Sequence, residues 1–419
     1  MRPAVLAGIC LKREKDRFAA KMEECVSLCE ACGIEVKTIV TQQSVSADPR
    51  TAFRQGKLQE LASAVSQTGA DAIIFAQELP IAVMNRIQEA CGVEVIDRTA
   101  LILDIFSHRA KSRQAKLQVE LARLSYALPS TAVDTETEEH ARGGGYRSRG
   151  AGERRTAEIA RTYRKRISVL KKELSEIDKD YQAAERRRSK SELGRAALIG
   201  YTNAGKSSLL NAILQANQKE QRQVYAEDML FATLDSSVRN ISHNGLQFLL
   251  YDTVGFVSDL PHTLIDAFHS TLDSARNADL LIHVVDLSDP MREEKIQVTL
   301  DTLKTIHADM IPRLTVFTKA DQAAENDRTC AFAVSSVTGE GIEALLDEIC
   351  ERLYPRENVM QCLLPYEKTG LIHDLCRVMH IDRLEEGEDG ILIRAEGPEV
   401  RMRPLKQYEV KYENSLGNV

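Results

Sequence analysis

The first hundred residues alternate short apolar runs with longer amphipathic stretches. The apolar runs lie at residues 4–8, 34–40, 72–75 and 93–96. Strands that alternate with helices in this way form a mainly parallel sheet, because each helix carries the chain back to the edge where the next strand starts. The pattern predicts a small N-terminal α/β domain over residues 1–100, without a phosphate-binding or catalytic motif.

Residues 101–193 follow a different pattern, in which apolar residues recur every three or four positions. This spacing predicts two long helices, over 101–128 and 154–193. The second helix carries a narrow apolar seam formed by Ile159, Tyr163, Ile167, Leu170, Leu174, Ile177, Tyr181 and Ala184. A seam of this width is typical of two helices packed side by side. The segment therefore predicts a long helical hairpin that projects from a compact domain.

Strands and helices alternate again over residues 194–355. Apolar runs predict strands at 196–199, 248–251, 280–285 and 314–317. The prediction is a second sheet, mostly parallel and doubly wound. Residues 356–419 predict a small α+β domain with strands near 359–364 and 391–395 and a helix near 371–379. The chain is accordingly of the α/β class and has four parts.

Composition fits a soluble globular protein of several domains. The chain has 419 residues, of which 43% are hydrophobic and 28% charged. No apolar run approaches the ~18 residues of a membrane helix. The first apolar stretch is followed at once by Lys12 and Arg13, with no cleavage site. Nine cysteines, an odd number spread over the chain, indicate reduced thiols, so we expect a cytoplasmic protein.

One motif within residues 194–355 has the form G-x-x-x-x-G-K-S. It consists of Gly200, Tyr201, Thr202, Asn203, Ala204, Gly205, Lys206 and Ser207, followed by Ser208. In such a loop the glycines let backbone N–H groups turn inward around phosphate oxygens, and the lysine reaches the outer phosphates. A predicted strand before the loop and a helix after it are the context that this motif requires. The sequence therefore predicts a nucleoside triphosphate site.

Further residues predict a magnesium site and a switch. Ser207 opens the helix after the loop, and Asp252 ends an apolar strand, so a hydroxyl and a carboxylate both face the expected Mg²⁺. Thr233 lies in a loop-like stretch, where its hydroxyl is placed to join the metal while the γ-phosphate is present. We take Mg²⁺ as the cofactor and Ser207 and Thr233 as its side-chain ligands.

The run Asp252, Thr253, Val254, Gly255 and Phe256 ends in an unusual residue. Gly255 can bring its N–H to the terminal phosphate because it has no side chain. Phe256 stands where small GTPase switches carry a water-orienting glutamine, and an aromatic ring can neither bind water nor accept a proton. With Lys206 and Thr233 these residues form the predicted hydrolytic centre, whose intrinsic rate should be slow. We predict that an external partner completes it, an effect worth roughly 10³ to 10⁵ in rate in known cases.

Guanine recognition is predicted for two later segments. They are Thr318, Lys319, Ala320 and Asp321, and Ser335, Ser336 and Val337. Asp321 would accept from the ring N–H and the exocyclic amine of guanine and would reject adenine. Lys319 would lie along the base, and the backbone at Ser336 would donate to its oxygen. Most GTPases have Asn at position 318, but Rho-type GTPases also have Thr, so we expect guanine binding to be kept.

Asn203 allows two interpretations. Its position matches one at which some GTPases help to hold an activating K⁺, and Asn is also favoured in turns for its own backbone hydrogen bonds. Potassium is therefore a second cofactor to test, by comparing hydrolysis in KCl with hydrolysis in NaCl.

Charge is distributed unevenly along the chain. The whole chain has a net charge of −7, yet residues 142–195 contain 17 Lys and Arg against eight Asp and Glu, a net charge of +9. The predicted hairpin tip contains Arg142, Gly143, Gly144, Gly145, Arg147 and Arg149. A charge run alone is equally typical of a solvated helix face. A basic arm attached to a GTP switch favours binding to RNA phosphates, through shape and backbone contacts because aromatic residues are few.

These motifs together resemble those of the HflX-type ribosome-associated GTPases. The resemblance rests on residues 95–99, 103–106, 109–113, 116–122, 143–145, 231–235 and 252–256. It places Phe231 beside Thr233 among the nucleotide-binding residues. It implies a factor that binds the large ribosomal subunit or the whole ribosome in its GTP form and splits stalled ribosomes. It also implies that ribosomes stimulate hydrolysis and that the hairpin tip reaches toward the peptidyl-transferase region.

The chain departs from the family at the hairpin tip. Where the family has Arg-Gly-Pro-Gly-Glu-Thr, this chain has Arg149, Gly150, Ala151, Gly152, Glu153 and Arg154. The missing Pro and Thr leave the detailed role of the tip open.

Two other functions remain open from the sequence. An Era-like or tRNA-modification GTPase would use the arm on another RNA or in assembly of a ribosomal subunit. A non-hydrolysing, GTP-dependent scaffold is favoured by Phe256 and Thr318. The partners expected are GTP and GDP, the large ribosomal subunit and its RNA. We expect no membrane span and a monomeric protein.

Overall fold

The computed structural model describes residues 1–12, 15–128, 149–188, 193–217, 237–253, 255–256, 275–323 and 332–410. Contacts between Cα atoms divide this part of the chain into two compact units, one up to residue 180 and one from residue 181 onward. Each unit has its own hydrophobic core.

The first unit contains a four-stranded parallel sheet. Its strands are β1 (Arg2–Leu11), β2 (Ile34–Ser44), β3 (Ala72–Phe75) and β4 (Glu94–Asp97), in the order β2-β1-β3-β4. Its helices are α1 (Lys15–Ala31), α2 (Gln55–Thr68), α3 (Ile81–Cys91) and α4 (Arg98–Arg109). All four residues of β3 are buried, as expected for a central strand of a parallel sheet covered on both faces. The four strands predicted from the apolar runs are present.

Two further helices of this chain form the predicted helical pair, α5 (Arg113–Ala127) and α6 (Arg149–Arg188). The 40 residues of α6 correspond to about 60 Å at ~1.5 Å per residue. The helices pack through a small apolar core of Leu117, Leu121, Leu170 and Leu174. Arg166 adds a two-pronged ion pair with Glu120, at 2.7 and 2.9 Å.

The single helix predicted over residues 101–128 is wrong, because the chain forms two helices there. Helix α4 ends at Arg109, and the backbone of Ala110 is extended. Ser112 then caps α5, since its hydroxyl accepts a hydrogen bond from the Ala115 N–H at 3.0 Å. The helical spacing of apolar residues continues across this break, so the sequence pattern did not reveal where α4 ends and α5 begins. Helix α6 also begins earlier than predicted, at Arg149 instead of residue 154.

The second unit contains a five-stranded sheet. Its strands are β5 (Gly194–Ile199), β6 (Ser237–His243), β7 (Leu246–Asp252), β8 (Leu280–Asp286) and β9 (Arg313–Thr318), in the order β6-β7-β5-β8-β9. All neighbouring pairs are parallel except β6 with β7. Its helices are α7 (Lys206–Ala216), α8 (Arg292–Thr305) and α9 (Ile342–Leu353). The mostly parallel, doubly wound sheet predicted for this region is therefore confirmed.

The C-terminal part of the second unit has a three-stranded antiparallel sheet. It is formed by β10 (Asn358–Leu364), β11 (His380–Gly387) and β12 (Gly390–Gly397), in the order β10-β12-β11. Helices α10 (Thr369–Leu375) and α11 (Glu399–Met402) and a 3₁₀-helix (Arg403–Tyr408) accompany it. Its core is continuous with that of the five-stranded sheet. Tyr354 joins the two, because its hydroxyl accepts from the Gly194 N–H at 2.8 Å and donates to the Gln247 carbonyl.

None of the helices in the described ranges combines the length and hydropathy that crossing a membrane requires. The cysteines in the same ranges are all free thiols.

Candidate functional site

The loop between β5 and α7 requires glycine at two positions. Gly200 has φ +149°, and a Cβ there would lie 2.3 Å from the Val284 carbonyl oxygen. Gly205 has φ +86° and immediately precedes α7. No side chain caps α7 and no acidic residue lies in its first turn, so its positive dipole end faces the loop. This is the local geometry of an anion-binding loop.

Two polar residues of the motif are exposed, Asn203 in the loop and Ser208 in the first turn of α7. Asn203 has φ +60°, a left-handed conformation that Asn adopts more readily than most residues. This backbone requirement is sufficient to explain an asparagine here. The potassium interpretation stays a prediction.

Lys206 lies across the loop that precedes it. Its ammonium group donates to the carbonyl oxygens of Gly200 at 3.1 Å and Tyr201 at 2.8 Å, and the residue is only 6% exposed. Burial lowers the pKa of Lys206 to about 8, against an opposing effect of the Asp252 carboxylate. An anion that enters the loop would stabilise the charged form of Lys206, because phosphate oxygens replace the hydration that burial removed.

The two predicted magnesium-facing groups lie next to each other. Asp252 is fully buried at the end of β7, and one of its carboxylate oxygens accepts from the Ser207 hydroxyl at 3.2 Å. Thr253 holds this strand end to β5, donating to the Leu198 carbonyl at 2.6 Å. A carboxylate and a hydroxyl at this distance are hard oxygen donors of the type that Mg²⁺ prefers. The residues present therefore fit this metal.

The backbone of Phe256 is hydrogen-bonded to the phosphate loop, and Gly255 lies against the same loop. The Phe256 N–H donates to the Gly200 carbonyl at 3.1 Å, and its carbonyl accepts from the Thr202 N–H at 2.7 Å. A Cβ at Gly255 would lie 2.8 Å from a methyl carbon of Thr202 and 3.0 Å from the Lys206 ammonium nitrogen. Only glycine therefore fits at position 255. Phe256 is 2% exposed, so its ring is a packing group in this structure.

Thr318 connects the predicted base-binding segment to the phosphate loop. Its hydroxyl lies 2.6 Å from the Ala204 carbonyl oxygen and 3.1 Å from that of Val285, and the residue is 1% exposed. A hydroxyl has one proton, so it donates to one of these oxygens at a time. The Thr318 side chain therefore contacts the phosphate loop directly.

Asp321 is held by Ser335. The serine hydroxyl donates to the Asp321 carboxylate at 2.7 Å and lies within 3.3 Å of the N–H groups of Val337 and Thr338. Ala320 is buried, and its N–H donates to the Val334 carbonyl at 3.2 Å. The fold therefore brings the two predicted base-binding segments together.

Val337 and Ser336 lie in the turn after Ser335. Val337 is 82% exposed, so its side chain packs against little of the chain.

Asp286, the last residue of β8, also belongs to this site and was not predicted from the sequence. Its carboxylate lies 2.8 Å from the Lys319 ammonium group, and both side chains are mostly buried. The apolar run 280–285 is followed directly by this aspartate. That position could have indicated a site residue, because the carboxyl ends of parallel strands line the ligand-binding edge of the sheet. Asp252 follows the same pattern.

Several predicted site residues lie outside the part of the chain that the structure describes. They are Phe231, Thr233 and Val254 of the nucleotide site and Arg142, Gly143, Gly144, Gly145 and Arg147 of the hairpin tip. Arg149 is the first residue of α6.

Four family profiles match successive parts of the chain. They are described as GTP-binding GTPase N-terminal (residues 19–107), GTP-binding GTPase Middle Region (109–188), 50S ribosome-binding GTPase (195–319) and HflX C-terminal domain (318–406).

Relatives match over nearly the whole chain. GTPase HflX of Caldanaerobacter subterraneus is 36% identical over 396 residues, covering 94% of this chain and 90% of that protein. GTPase HflX of Escherichia coli is 34% identical over 417 residues, covering 97% of this chain and 96% of that protein. Among solved structures, a GTP-binding protein from Sulfolobus solfataricus in complex with GDP is 24% identical, with a TM-score of 0.43, over 84% of this chain and 98% of that one.

Proposed function

The chain belongs to the HflX family of GTPases, and on that premise we propose that it is a GTP-controlled factor that binds the large ribosomal subunit and splits stalled ribosomes. As a member of the family it has a P-loop GTPase fold, binds GTP and hydrolyses it. The profile matched by residues 195–319, described as a 50S ribosome-binding GTPase, is the observation that carries the ribosomal part of the proposal. The proposal keeps the four-domain division 1–100, 101–193, 194–355 and 356–419.

The nucleotide would occupy the loop between β5 and α7. Lys206 would bind the outer phosphates, and Asp321 would select guanine with Lys319 along the base. Support comes from the buried Lys206 ammonium group above the loop carbonyls and from the Ser335 hydroxyl that orients Asp321. Ser207 and Asp252, with Thr233 outside the described ranges, would hold Mg²⁺, which when bound neutralises charge on the phosphates.

Hydrolysis would depend on the ribosome. Phe256 has no group that can orient water, and its N–H and carbonyl are bonded to Gly200 and Thr202. The water-orienting group must therefore come from elsewhere in the active complex. Trans-acting groups in other GTPases raise the rate by roughly 10³ to 10⁵.

The basic helical arm would bind ribosomal RNA. The exposed basic residues on α6 include Arg161, Arg164, Lys165, Lys171 and Lys172. Pairing of such side chains with RNA phosphates releases counterions, so binding should weaken steeply as salt is raised. The predicted contacts of Arg147 and Arg149 with RNA belong to the same proposal.

Gradient sedimentation of ribosomes tests this function. Purified protein would be incubated with whole ribosomes and GTP, GDP or a non-hydrolysable GTP analogue. With the analogue, we expect the protein to sediment together with the large subunit. With GTP, we expect free subunits to accumulate. The Lys206→Ala variant is the control, and it should neither bind the large subunit nor release free subunits. Equal binding in GDP and in the analogue would contradict the proposal. Binding only to immature particles would favour the ribosome-assembly alternative.

A further inference from the structure

The carboxylate of Asp286 is fixed in place by its own turn. One oxygen accepts from the Ser288 N–H at 3.0 Å and from the Ser288 hydroxyl at 2.6 Å. The other oxygen lies 2.8 Å from the Lys319 ammonium group. The Asp286 side chain is 15% exposed and that of Lys319 is 22% exposed. The ion pair is therefore largely shielded from water, and its carboxylate does not need to reorient to meet the lysine.

The backbone around Lys319 is constrained as well. Lys319 has φ +56°, a left-handed conformation that is uncommon for lysine. The Leu287 N–H, next to Asp286, donates to the Thr318 carbonyl at 3.0 Å, and the Gln322 N–H donates to the Lys319 carbonyl at 2.9 Å. The end of β8 and the turn after it thus hold this segment in two ways. The Leu287 backbone bonds to Thr318, and the Asp286 carboxylate pairs with the Lys319 side chain.

We propose that Asp286 is a positioning residue for guanine nucleotide binding, which acts by holding the Lys319 side chain in the orientation that the base requires. The inference rests on the proposed assignment of Lys319 to the base. A lysine side chain has many rotamers, and a ligand that must select one of them binds more weakly than one that meets a pre-oriented group. Asp286 removes this cost before the nucleotide arrives. It does not touch the nucleotide itself.

The test is a double-mutant cycle on affinity for GDP carrying a fluorescent group on the ribose. Asp286→Asn keeps the shape and the Ser288 contacts but removes the charge that holds Lys319. We expect a roughly tenfold higher Kd, mainly from faster dissociation. Lys319→Ala should also weaken binding, and adding Asp286→Asn to it should change Kd by less than about twofold, because the two residues act as a unit.

A merely structural role of Asp286 would give a different result. Losses from the two substitutions would then multiply, because each would act on Kd independently of the other. Asp301→Asn is the matched control, since Asp301 forms an exposed ion pair with Lys304 at 3.0 Å on α8 and should leave Kd unchanged.

Failure of the inference and failure of the site assignment are distinguishable. If Asp286→Asn binds GDP like the wild type while Lys319→Ala and Asp321→Asn are impaired, the inference is wrong and the site stands. If all three bind like the wild type, the assignment of the base site is wrong.

Discussion

The two parallel sheets of this chain differ at their carboxyl edges. In the first unit a polar side chain at this edge, that of Gln77, bonds to the backbone of β1. The Gln77 amide accepts from the Ile9 N–H at 3.1 Å and donates to the Ile9 carbonyl at 2.9 Å. In the second unit the corresponding edge carries a loop with φ above zero at Gly200 and Gly205, an uncapped helix end and a buried lysine. The fold class is the same, but among the described residues the glycine loop, the uncapped helix end and the buried lysine lie together at the second edge.

The location of this difference follows from strand order. Doubly wound sheets bind ligands where the order of strands reverses, because the connections leave a crevice there. In the first sheet the reversal lies between β1 and β3, where the Gln77 side chain hydrogen-bonds to the backbone of Ile9 in β1. In the second it lies between β5 and β8, where Gly200 passes against the Val284 carbonyl with no room for a Cβ. At the first reversal the chain bonds a polar side chain to the neighbouring strand, whereas at the second it places a glycine loop that leads into an uncapped helix N-terminus.

Removal of the lysine should give the largest effect. Lys206→Ala deletes the only charge that the described loop offers to the phosphates, and we expect GTP affinity to fall by at least ~100-fold. Gln77→Ala, at the corresponding edge of the first sheet, should leave affinity within about twofold. Titration with a fluorescent GTP analogue measures both. Equal effects of the two substitutions would remove the distinction between the edges.

The buried strand-end aspartates provide the next comparison. Asp97 accepts from the N–H groups of Ala100 at 2.8 Å and Leu79 at 3.1 Å, whereas Asp252 accepts from the Ser207 hydroxyl. Asp97→Ala leaves two N–H groups without their acceptor and should lower the free energy of unfolding of the first unit by about 2–3 kcal/mol. Hydrogen exchange of amides in β3 and β4 under increasing urea measures this.

Asp252→Ala should show the opposite behaviour. We expect the Mg²⁺ dependence of nucleotide binding to be lost, with a smaller effect on the stability of the first unit than Asp97→Ala has. A loss of nucleotide affinity in Asp97→Ala at urea-free conditions would contradict a purely structural use of that carboxylate.

The success of the sequence predictions depended on burial. Strands buried on both faces, such as β3 and β8, are continuous apolar runs, and their positions were predicted. Strand β11 was missed because six of its eight residues are exposed, so it has no alternation of apolar and polar positions. Strand β6 is an edge strand that pairs antiparallel with β7, and it was missed because it contains no apolar run. The break after Arg109 was missed because a single serine cap, not a change in spacing, produces it.

The candidate site shows the same limit at the level of side chains. The phosphate-loop glycines are indicated by sequence because their spacing reflects backbone conformation within one short segment. The ion pair of Asp286 with Lys319 joins residues 33 positions apart, so it could be found only when the register of β8 with β9 placed Asp286 opposite Thr318. The Thr318 hydroxyl contact with Ala204 likewise depends on tertiary structure.

The Thr318 hydroxyl gives a prediction of intermediate size. Thr318→Val keeps the shape but removes the proton donated to Ala204 or Val285, which leaves a buried carbonyl unsatisfied. We expect about tenfold weaker binding of GDP. Thr318→Asn, which supplies two N–H donors, should bind within about threefold of the wild type. If valine were tolerated, the contact between the base segment and the phosphate loop would be unimportant for affinity.

The smallest effect is expected from pH, and it tests whether the second edge is poised for an anion. Burial lowers the pKa of Lys206 to about 8, so in the free protein this lysine is about half charged near pH 8. Phosphates favour the charged form, so nucleotide binding near and above this pH must take up a proton. Affinity should therefore be constant below about pH 7 and fall by less than tenfold per unit as pH rises toward ~9.

Calorimetry in two buffers with different ionisation heats measures the proton uptake directly, with about half a proton expected near pH 8. Lys206→Arg is the matched control, because arginine stays charged throughout this range and its binding, although weaker, should take up no proton. Proton uptake that is the same in both proteins would mean that another group titrates. The lysine over the loop would then be charged before the phosphates arrive, and the second edge would present a fixed cation to them.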